Sequence, residues 1–117
     1  MRMNNLQLKV KKGDIFWCSS ANKMDFNKKT RPFLVVKNCS KLEPSIRCIG
    51  LTSNLKRKRG NVVLNTYALK CPSVALCHRI YKIAKNDVHG YITSISAAEL
   101  LKIEKILKYK NPKISRY

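Results

Sequence analysis

A series of short apolar segments bounded by turn-forming residues most constrains the fold of this chain. The segments are rich in β-branched and aromatic side chains, which favour strands. They recur at near-regular spacing, at residues 14–18, 33–36, 46–51, 62–64, 73–83 and 90–95. About six strands at this spacing predict an α+β, mainly β fold, built on a small, strongly curved antiparallel sheet or barrel.

One segment near the end of the chain has helical rather than strand periodicity. Ser96 and Glu99 have the spacing of a capping box, and Ile95 and Leu100 occupy the positions of a hydrophobic staple. The segment forms an apolar stripe with lysines on its other side: Leu100, Ile103, Ile106 and Leu107 against Lys102, Lys105 and Lys108. We therefore expect a C-terminal helix over 96–107 that packs on the sheet.

Length and charge limit the classes of protein to which this chain can belong. At 117 residues the chain is expected to form one domain over 1–117, with a core at about 12–108 and a basic tail at 109–117. Its 25 Lys and Arg against 6 Asp and Glu give a net charge of +19, which opposes compaction but favours binding to a polyanion. The first residues contain no apolar run of the length that a signal peptide or membrane span requires, so we expect a cytoplasmic protein with no membrane partner.

The cysteines and acidic residues indicate neither disulfides nor a metal site. The five cysteines are odd in number, and no pair has Cys-x-x-Cys spacing. We interpret them as reduced thiols, mostly in the core: Cys18, Cys39, Cys48, Cys71 and Cys77. The carboxylates are scattered without the pairing that a two-metal nuclease needs, so no metal or other cofactor is expected. Trp17, in the first predicted strand, is predicted to be a core residue.

Two of the predicted strands carry phosphate-binding chemistry at their ends. Arg31 stands just before a strand, and its guanidinium is a rigid fork of donors that matches phosphate oxygens. The following Pro32 restricts Arg31 to extended backbone conformations. Thr52 ends the 46–51 strand and offers a hydroxyl, with Ser53 beside it as a further catalytic candidate. Arg31 and Thr52 could therefore hold one phosphate between them.

One reaction open to a basic chain that binds phosphate is the cleavage of RNA without a metal, which uses the ribose 2′-hydroxyl as nucleophile, so some group must accept its proton. Arginine in proteins stays protonated and is a poor acceptor. Asp25, in the polar segment 19–29, and His78, in the predicted 73–83 strand, are candidates by chemical type. His89 is expected at the surface in a turn. The residues alone leave the general base open between Asp25 and His78.

Basic residues flank the two candidate phosphate-binding residues from both sides. Lys28-Lys29 lies just before Arg31, and the run 56–59 begins four residues after Thr52. The polar segment 19–29 is long enough for a functional loop that reads unstacked bases. The predicted RNA-binding residues are Asn22, Phe26, Asn27, Lys28, Lys29, Lys56, Arg57, Lys58, Arg59 and Arg79.

The order of these segments resembles the MazF/PemK family of toxin endoribonucleases. The resemblance rests on Gly13-Asp14-Ile15-Phe16-Trp17, Thr30-Arg31-Pro32, the strand ending at Thr52-Ser53 and the helix 96–107, and it covers about residues 12–108. It implies an SH3-like barrel of the PemK/CcdB type and assigns catalysis to Arg31 and Thr52. Two positions depart from the family: Lys28-Lys29 replaces a common glycine, and His78-Arg79-Ile80 replaces a common Asp-Gln-Ile.

The resemblance also implies an activity and partners. The expected function is the toxin of a type II toxin-antitoxin system, a metal-independent, sequence-specific endoribonuclease (an mRNA interferase) that cleaves single-stranded RNA by 2′-hydroxyl attack. Its partners would be RNA, a second copy in a homodimer and a cognate acidic antitoxin, with DNA reached only through that antitoxin. Two alternatives remain: a non-catalytic, basic β-barrel that binds RNA, or a CcdB-like poison of DNA gyrase.

Overall fold

The structure, a computed structural model, describes residues 9–19, 30–57, 60–65 and 72–110. Within these residues it contains seven strands and one α-helix. The strands are β1 (Asp14–Ser19), β2 (Thr30–Val35), β3 (Ser45–Thr52), β4 (Val62–Leu64), β5 (Ser73–Ala75), β6 (Tyr81–Ala84) and β7 (Val88–Ser94). The helix is α1 (Ala97–Lys110), and short 3₁₀ turns occupy Leu55–Arg57 and Lys85–Asp87.

All the strands belong to one antiparallel sheet with β3 near its centre. The order is β4-β5-β3-β2-β1-β7, and β6 also pairs with β3. One edge of β3 pairs with β2, while the other edge is shared by β6 along its first half and by β5 at its end. The described strands leave the sheet open, with β4 and β7 at the ends of the main path.

The sheet curls strongly, because β6 and β7 follow each other in the chain but pair with strands on different sides. The 3₁₀ turn Lys85–Asp87 joins them, so β6, β3, β2, β1 and β7 wrap around a common interior. We call the cluster inside this curl the inner core: Val10, Phe16, Cys18, Phe33, Val35, Cys39, Ile46, Cys48, Ile83 and Val88. This arrangement confirms the predicted mainly β fold with a small curved sheet.

A second cluster, the outer core, lies on the other face of the sheet beneath α1. Its members alternate along the strands with those of the inner core, as the two-residue period of a strand requires. They are Ile15, Leu34, Val36, Ile49, Leu51, Val62, Leu64, Ala75, Cys77, Ile103 and Leu107. The helix therefore contributes its predicted apolar stripe, and its lysines 102, 105 and 108 are exposed, as expected.

Side-chain caps explain where α1 begins. The Glu99 N–H donates to Ser96 Oγ at 3.1 Å, and the Ser96 N–H donates to Glu99 Oε1 at 3.3 Å, which is the predicted capping box.

Gly13 has a φ of +96° and links two parts of the backbone. Its N–H donates to the Val35 carbonyl, and its carbonyl accepts from the Ile95 N–H. A side chain at this position would be strained, since residues other than glycine rarely adopt this φ. Gly13 thus connects β2 to the start of α1.

A buried lysine holds the segment between β2 and β3. Lys85 is fully buried, and its Nζ donates to the carbonyls of Ser40 and Lys41 at 2.7 and 3.4 Å. Its amide donates to the carbonyl of Pro44 at 2.9 Å. Burying an ammonium group is costly unless such acceptors replace water. These bonds tie the Ser40–Pro44 segment to the turn between β6 and β7.

Two local predictions are corrected by this fold. The predicted strand 73–83 is two strands, β5 and β6, because the chain leaves the edge of β3 at Leu76 and returns to it at Tyr81. Trp17 is 45% exposed, so the prediction of a core tryptophan is wrong. Trp17 lies between Pro32 on β2 and Gly90 on β7, and neither neighbour covers its side chain.

The cysteines and the helix complete the comparison with the sequence-based expectations. Four cysteines are buried free thiols, as predicted: Cys18, Cys39, Cys48 and Cys77. Cys71 lies outside the described residues. The helix continues three residues beyond the predicted range, to Lys110. None of the described helices has the length and apolar character needed to cross a membrane.

Candidate functional site

Arg31 and Thr52 come together at one end of the sheet. β2 begins there and β3 ends there, because the two strands are antiparallel. Phe33 pairs with Gly50, Leu34 with Ile49 and Val35 with Cys48. Continuing this register by two residues brings Arg31 opposite Thr52, on the side of the sheet that faces the inner core. Residues 21 positions apart in the sequence thus lie on neighbouring strands.

The Thr52 hydroxyl is oriented by the chain that follows it. Its Oγ1 accepts a hydrogen bond from the Asn54 N–H at 3.2 Å, and Asn54 Oδ1 accepts one from the Lys56 N–H at 3.1 Å. These turns leave the hydroxyl hydrogen of Thr52 available to donate to a ligand. Arg31 is exposed and forms no ion pair with a described carboxylate. The pair therefore combines a hydroxyl donor with an exposed guanidinium, the two groups that could bind an anion.

Two aromatic side chains and an arginine lie together at the edge of the inner core. We call this edge, formed by Phe33, Tyr81 and Arg79, the mouth of the inner core. Phe33 contacts Tyr81 edge to face, with ring centroids 5.7 Å apart. The guanidinium carbon of Arg79 lies 4.6 Å from the centroid of the Tyr81 ring. Gly50 contributes no side chain between Thr52 and the interior, and a Cβ there would lie 3.8 Å from the Phe33 ring. Arg79 was predicted as a site residue from the sequence, whereas Tyr81, two residues later in the chain, was not.

The turn 76–80 brings His78 and Arg79 to the edge of β3. The Leu76 N–H donates to the Gly50 carbonyl at 2.9 Å, so the turn leaves the sheet beside the glycine that faces Phe33. His78 and Arg79 are both exposed. The prediction of a strand position near the core for His78 is therefore wrong, since neither residue belongs to β5 or β6. The turn leaves β3 beside Gly50 and returns to it beside Cys48, whereas Thr52 pairs with Val74 before the turn begins.

The opposite side of the same sheet end holds a contact that sequence reasoning missed. The Ser19 hydroxyl and His89 Nε2 are within hydrogen-bond distance, which joins β1 to β7. His89 is exposed, as predicted, but it lies on β7 rather than in a turn. Ser19 and His89 alternate with Cys18 and Val88, which face the inner core, so their side chains lie on the other face from Arg31. No sequence signal linked two residues so far apart.

The Cys18 thiol, which lies at this end of the sheet, is expected to be unreactive. Cys18 pairs with Arg31 on β2 and with Val88 on β7. Burial raises the pKa of the Cys18 thiol to about 12, and the nearby Asp87 carboxylate adds to this effect. Burial likewise raises the pKa of Cys48, with a contribution from Cys18. A thiol with such a pKa stays protonated at neutral pH and makes a poor nucleophile.

Several predicted site residues lie outside the described residues. Lys56 and Ser53 are described and exposed, following Thr52 as expected, while the side chain of Arg57 is not described. The others outside the described residues are Asn22, Asp25, Phe26, Asn27, Lys28, Lys29, Lys58 and Arg59. The Thr30 end of β2 and the Arg57 end of the 3₁₀ turn are therefore the points where these segments join the described site.

A pocket of about 180 Å³ lies at the other end of β3 and is separate from this site. Its lining residues are Lys37, Asn38, Cys39, Glu43, Pro44, Ser45, Arg47 and Lys82. Ser45 begins β3, whereas Thr52 ends it. A strand of this length spans on the order of 20 Å. The pocket thus lies away from Arg31, Thr52 and the aromatic mouth.

The family comparison covers most of the chain. Residues 11–110 match the model of the PemK-like, MazF-like toxins of type II toxin-antitoxin systems. The chain therefore belongs to this family, as the order of its segments predicted. A comparison with curated protein sequences found no significant match.

Solved structures share the fold at low sequence identity. A mycobacterial endoribonuclease in complex with its cognate antitoxin is 17% identical, with a TM-score of 0.69 over 86% of this chain and 93% of that one. The Mycobacterium tuberculosis toxin MazF-mt6 is 16% identical, with a TM-score of 0.70 over 83% and 94%. MazF from Deinococcus radiodurans is 15% identical, with a TM-score of 0.71 over 87% and 96%. At these identities the likeness establishes the shared fold.

Proposed function

We propose that this toxin-family chain is a metal-independent, sequence-specific endoribonuclease that cleaves single-stranded RNA. The observation that carries the proposal is the placement of Arg31 and Thr52 at one end of the curved sheet, on neighbouring strands and on the same side. Membership of the MazF-like family supports it, as do related folds from mycobacteria that are described as endoribonucleases.

Arg31 is the proposed clamp for the phosphate that is cleaved. Its guanidinium can donate to two phosphoryl oxygens at once, and it remains charged while negative charge develops there. No described carboxylate competes for it, since it forms no ion pair within the described residues. Donors aimed at developing charge are the largest single contribution in many enzymes. Arg31 would also donate a hydrogen bond to the leaving 5′-oxygen, which takes its proton from water.

Thr52 is the proposed hydroxyl partner of Arg31. Because its oxygen already accepts the Asn54 N–H, the hydroxyl hydrogen would donate to a phosphoryl oxygen. The exposed Ser53 next to it could provide a second hydroxyl. In the proposed reaction the ribose 2′-oxygen bonds to phosphorus as the phosphorus–5′-oxygen bond breaks. The products are a 2′,3′-cyclic phosphate and a 5′-hydroxyl end.

The 2′-hydroxyl proton needs an acceptor, and His78 is the candidate among the described residues. It is exposed on the turn that leaves β3 beside Gly50, and an imidazole nitrogen can accept a proton near neutral pH. Asp25 is the second candidate and lies outside the described residues. A His78→Asn variant that keeps full activity and an unchanged pH–rate profile would eliminate His78 as the base.

The surrounding cations would form the RNA channel. Lys56 is exposed just after Thr52, and Arg79 is exposed on the neighbouring turn. Lys28, Lys29, Arg57, Lys58 and Arg59 would extend the channel, and Asn22, Phe26 and Asn27 would read unstacked bases. Single-stranded RNA bound here should show a salt slope of about −0.7 per phosphate contacted.

The charge also suits the two protein partners that we propose. A net charge of +19 favours an acidic antitoxin segment that neutralises the RNA channel through the same electrostatics that bind RNA. Related folds are described in complex with a cognate antitoxin and as a MazE-MazF pair. A homodimer would double the basic surface, with DNA reached only through the antitoxin.

Mapping the cleavage ends of a defined RNA incubated with the purified protein in EDTA tests the proposal directly. We expect cleavage at a recurring short sequence, with 2′,3′-cyclic phosphate ends and no loss of rate in the chelator. Cleavage that EDTA abolishes would overturn the metal-independent mechanism. Tight RNA binding without cleavage would identify a binding module, and inhibition of DNA gyrase without either would identify a CcdB-like toxin.

A further inference from the structure

We infer that Arg79 and Tyr81 form a stacking platform for one unstacked base of single-stranded RNA at the mouth of the inner core. The inference rests on the proposed function and specifies how RNA would be held near the cleaved phosphate. Its basis is a geometric relation between three side chains, Arg79, Tyr81 and Phe33. Phe33 lies two residues after Arg31 on β2.

The three side chains support one another in sequence from the interior to the surface. Phe33 is buried in the inner core and meets the Tyr81 ring edge to face at 5.7 Å. Tyr81 is half-buried, and the guanidinium carbon of Arg79 lies 4.6 Å from its ring centroid. An aromatic pair beneath a guanidinium restrains the position of that group. Arg79 is therefore held in place although it is exposed.

Arg79 has a planar surface still available for a ligand. It is exposed, and it forms no ion pair with any described carboxylate, so its charge is engaged by the Tyr81 ring alone among the described contacts. Bases of single-stranded RNA stack on aromatic side chains and on arginine guanidinium planes. A base placed on the outer side of Arg79 would extend the Phe33, Tyr81 and Arg79 series by one member.

The platform lies further along β3 than the phosphate site. Tyr81 pairs with Cys48, which is four residues before Thr52, and Phe33 pairs with Gly50 between them. Four residues of a strand span roughly 13 Å, about two nucleotide steps of an extended strand. Gly50 has no side chain, and a Cβ at this position would lie 3.9 Å from the Leu76 side chain. The geometry therefore suits a base about two nucleotides from the cleaved bond.

The test uses short single-stranded RNA with 2′-O-methyl riboses, in which one base at a time is replaced by the fluorescent base 2-aminopurine. Such RNA has no 2′-hydroxyl nucleophile, so binding and stacking are measured without cleavage. We expect the full chain to quench the probe at one position or two adjacent positions. Arg79→Lys keeps the charge but removes the plane, and Tyr81→Leu keeps an apolar side chain but removes the ring. Both should lose this quenching and bind about tenfold more weakly.

Two matched variants separate stacking from charge and from folding. Lys82→Ala removes one charge from the adjacent position of β6, whose side chain lies on the other face, and should leave the quenching unchanged. Tyr81→Phe keeps the ring and should also behave like the wild type. Since Tyr81→Leu removes a contact to the buried Phe33, thermal unfolding checks that it folds. Arg79→Lys alters only an exposed side chain and keeps the inference testable if Tyr81→Leu unfolds.

The outcomes distinguish this inference from the proposed activity. If unmodified RNA is cleaved but Arg79→Lys quenches and binds like Lys82→Ala, the platform is refuted and the endoribonuclease proposal stands. If unmodified RNA is never cleaved but the position-specific quenching depends on Arg79 and Tyr81, the platform stands and the catalytic proposal fails. Absence of any RNA binding, or equal quenching at all positions, overturns the inference.

Discussion

The outer face of the sheet is covered by α1, whereas the inner face curls around a core made by the strands and their connections. The outer core is mostly aliphatic and is completed by Ile103 and Leu107 from the helix. The inner core combines two phenylalanines with cysteines, valines and isoleucines, and Arg31 and Arg79 are exposed outside it. The same strands thus pack against a helix on one face and carry the proposed anion site on the other.

The largest expected effect comes from the outer core. Ile103→Ala should lower the free energy of unfolding by about 2–5 kcal/mol, because it removes a fully buried side chain and leaves a cavity under the helix. Chemical denaturation measures the change. Lys105→Ala, an exposed neighbour on α1, should stay within about 0.5 kcal/mol of the wild type. Equal losses in the two variants would contradict the assignment of stability to this face.

The next effect is on catalysis at the inner mouth. Arg31→Ala should lower the rate of RNA cleavage by about 10²-fold or more, since it removes a donor to the developing phosphoryl charge. RNA affinity at low salt should change little, because many other cations remain. Arg47→Ala removes the same charge from the outer face of β3 and should keep nearly full activity. If both variants lose equal activity, general charge rather than the Arg31 position decides the rate.

Thr52→Val should have a smaller effect on the same reaction. The substitution keeps the shape but loses one neutral hydrogen bond, worth about 1 kcal/mol or roughly fivefold in rate. Single-turnover cleavage measures the loss, and Thr93→Val on β7 provides a control hydroxyl at the far end of the sheet. A Thr52→Val enzyme with the wild-type rate would remove the hydroxyl from the proposed mechanism.

The last effect has no consequence at neutral pH and concerns the buried thiols of the inner core. The pKa of Cys18 is raised from 9.0 to about 12, so between these values the thiol ionises in the unfolded chain but not in the folded one. Stability contributed by the neutral thiol is therefore full below pH 9 and is lost as the pH rises toward 12. Denaturation at several pH values should show a shallower decline in Cys18→Ala than in the wild type. Parallel declines would contradict the burial of this thiol.

Local chemistry made much of the fold predictable. The capping box of Ser96 and Glu99 uses side chains three residues apart, and the apolar stripe of α1 is a property of a single helix. The strands around the inner core were recognisable because each either alternates apolar with polar residues or is strongly apolar. Residues 73–83 were misassigned because neither of their faces is cleanly apolar. The interruption between β5 and β6 depends on how these two strands share one edge of β3.

The candidate site was predictable in its chemistry and only partly in its arrangement. Arg31 and Thr52 could be predicted because each lies at one end of a recognisable strand. The order of segments typical of the family supported them. Tyr81 was missed because its contacts with Phe33 and Arg79 join three separate segments. The Ser19–His89 contact likewise joins residues that are far apart in the sequence. Pairing between distant strands is set by the packing of the whole sheet.

Composition and short-range pattern alone were enough to establish a basic, mainly β chain with a capped terminal helix, since charge, alternation and capping involve residues close in sequence. Tertiary structure alone decided which face of each strand meets α1, where Trp17 lies, and which side chains share the mouth of the inner core. These depend on strand register and curvature, and a shift of one residue would move every side chain of a strand to the opposite face. The sequence therefore supplies the chemical groups of Arg31 and Thr52, but only the pairing of β2 with β3 makes them neighbours in a candidate site.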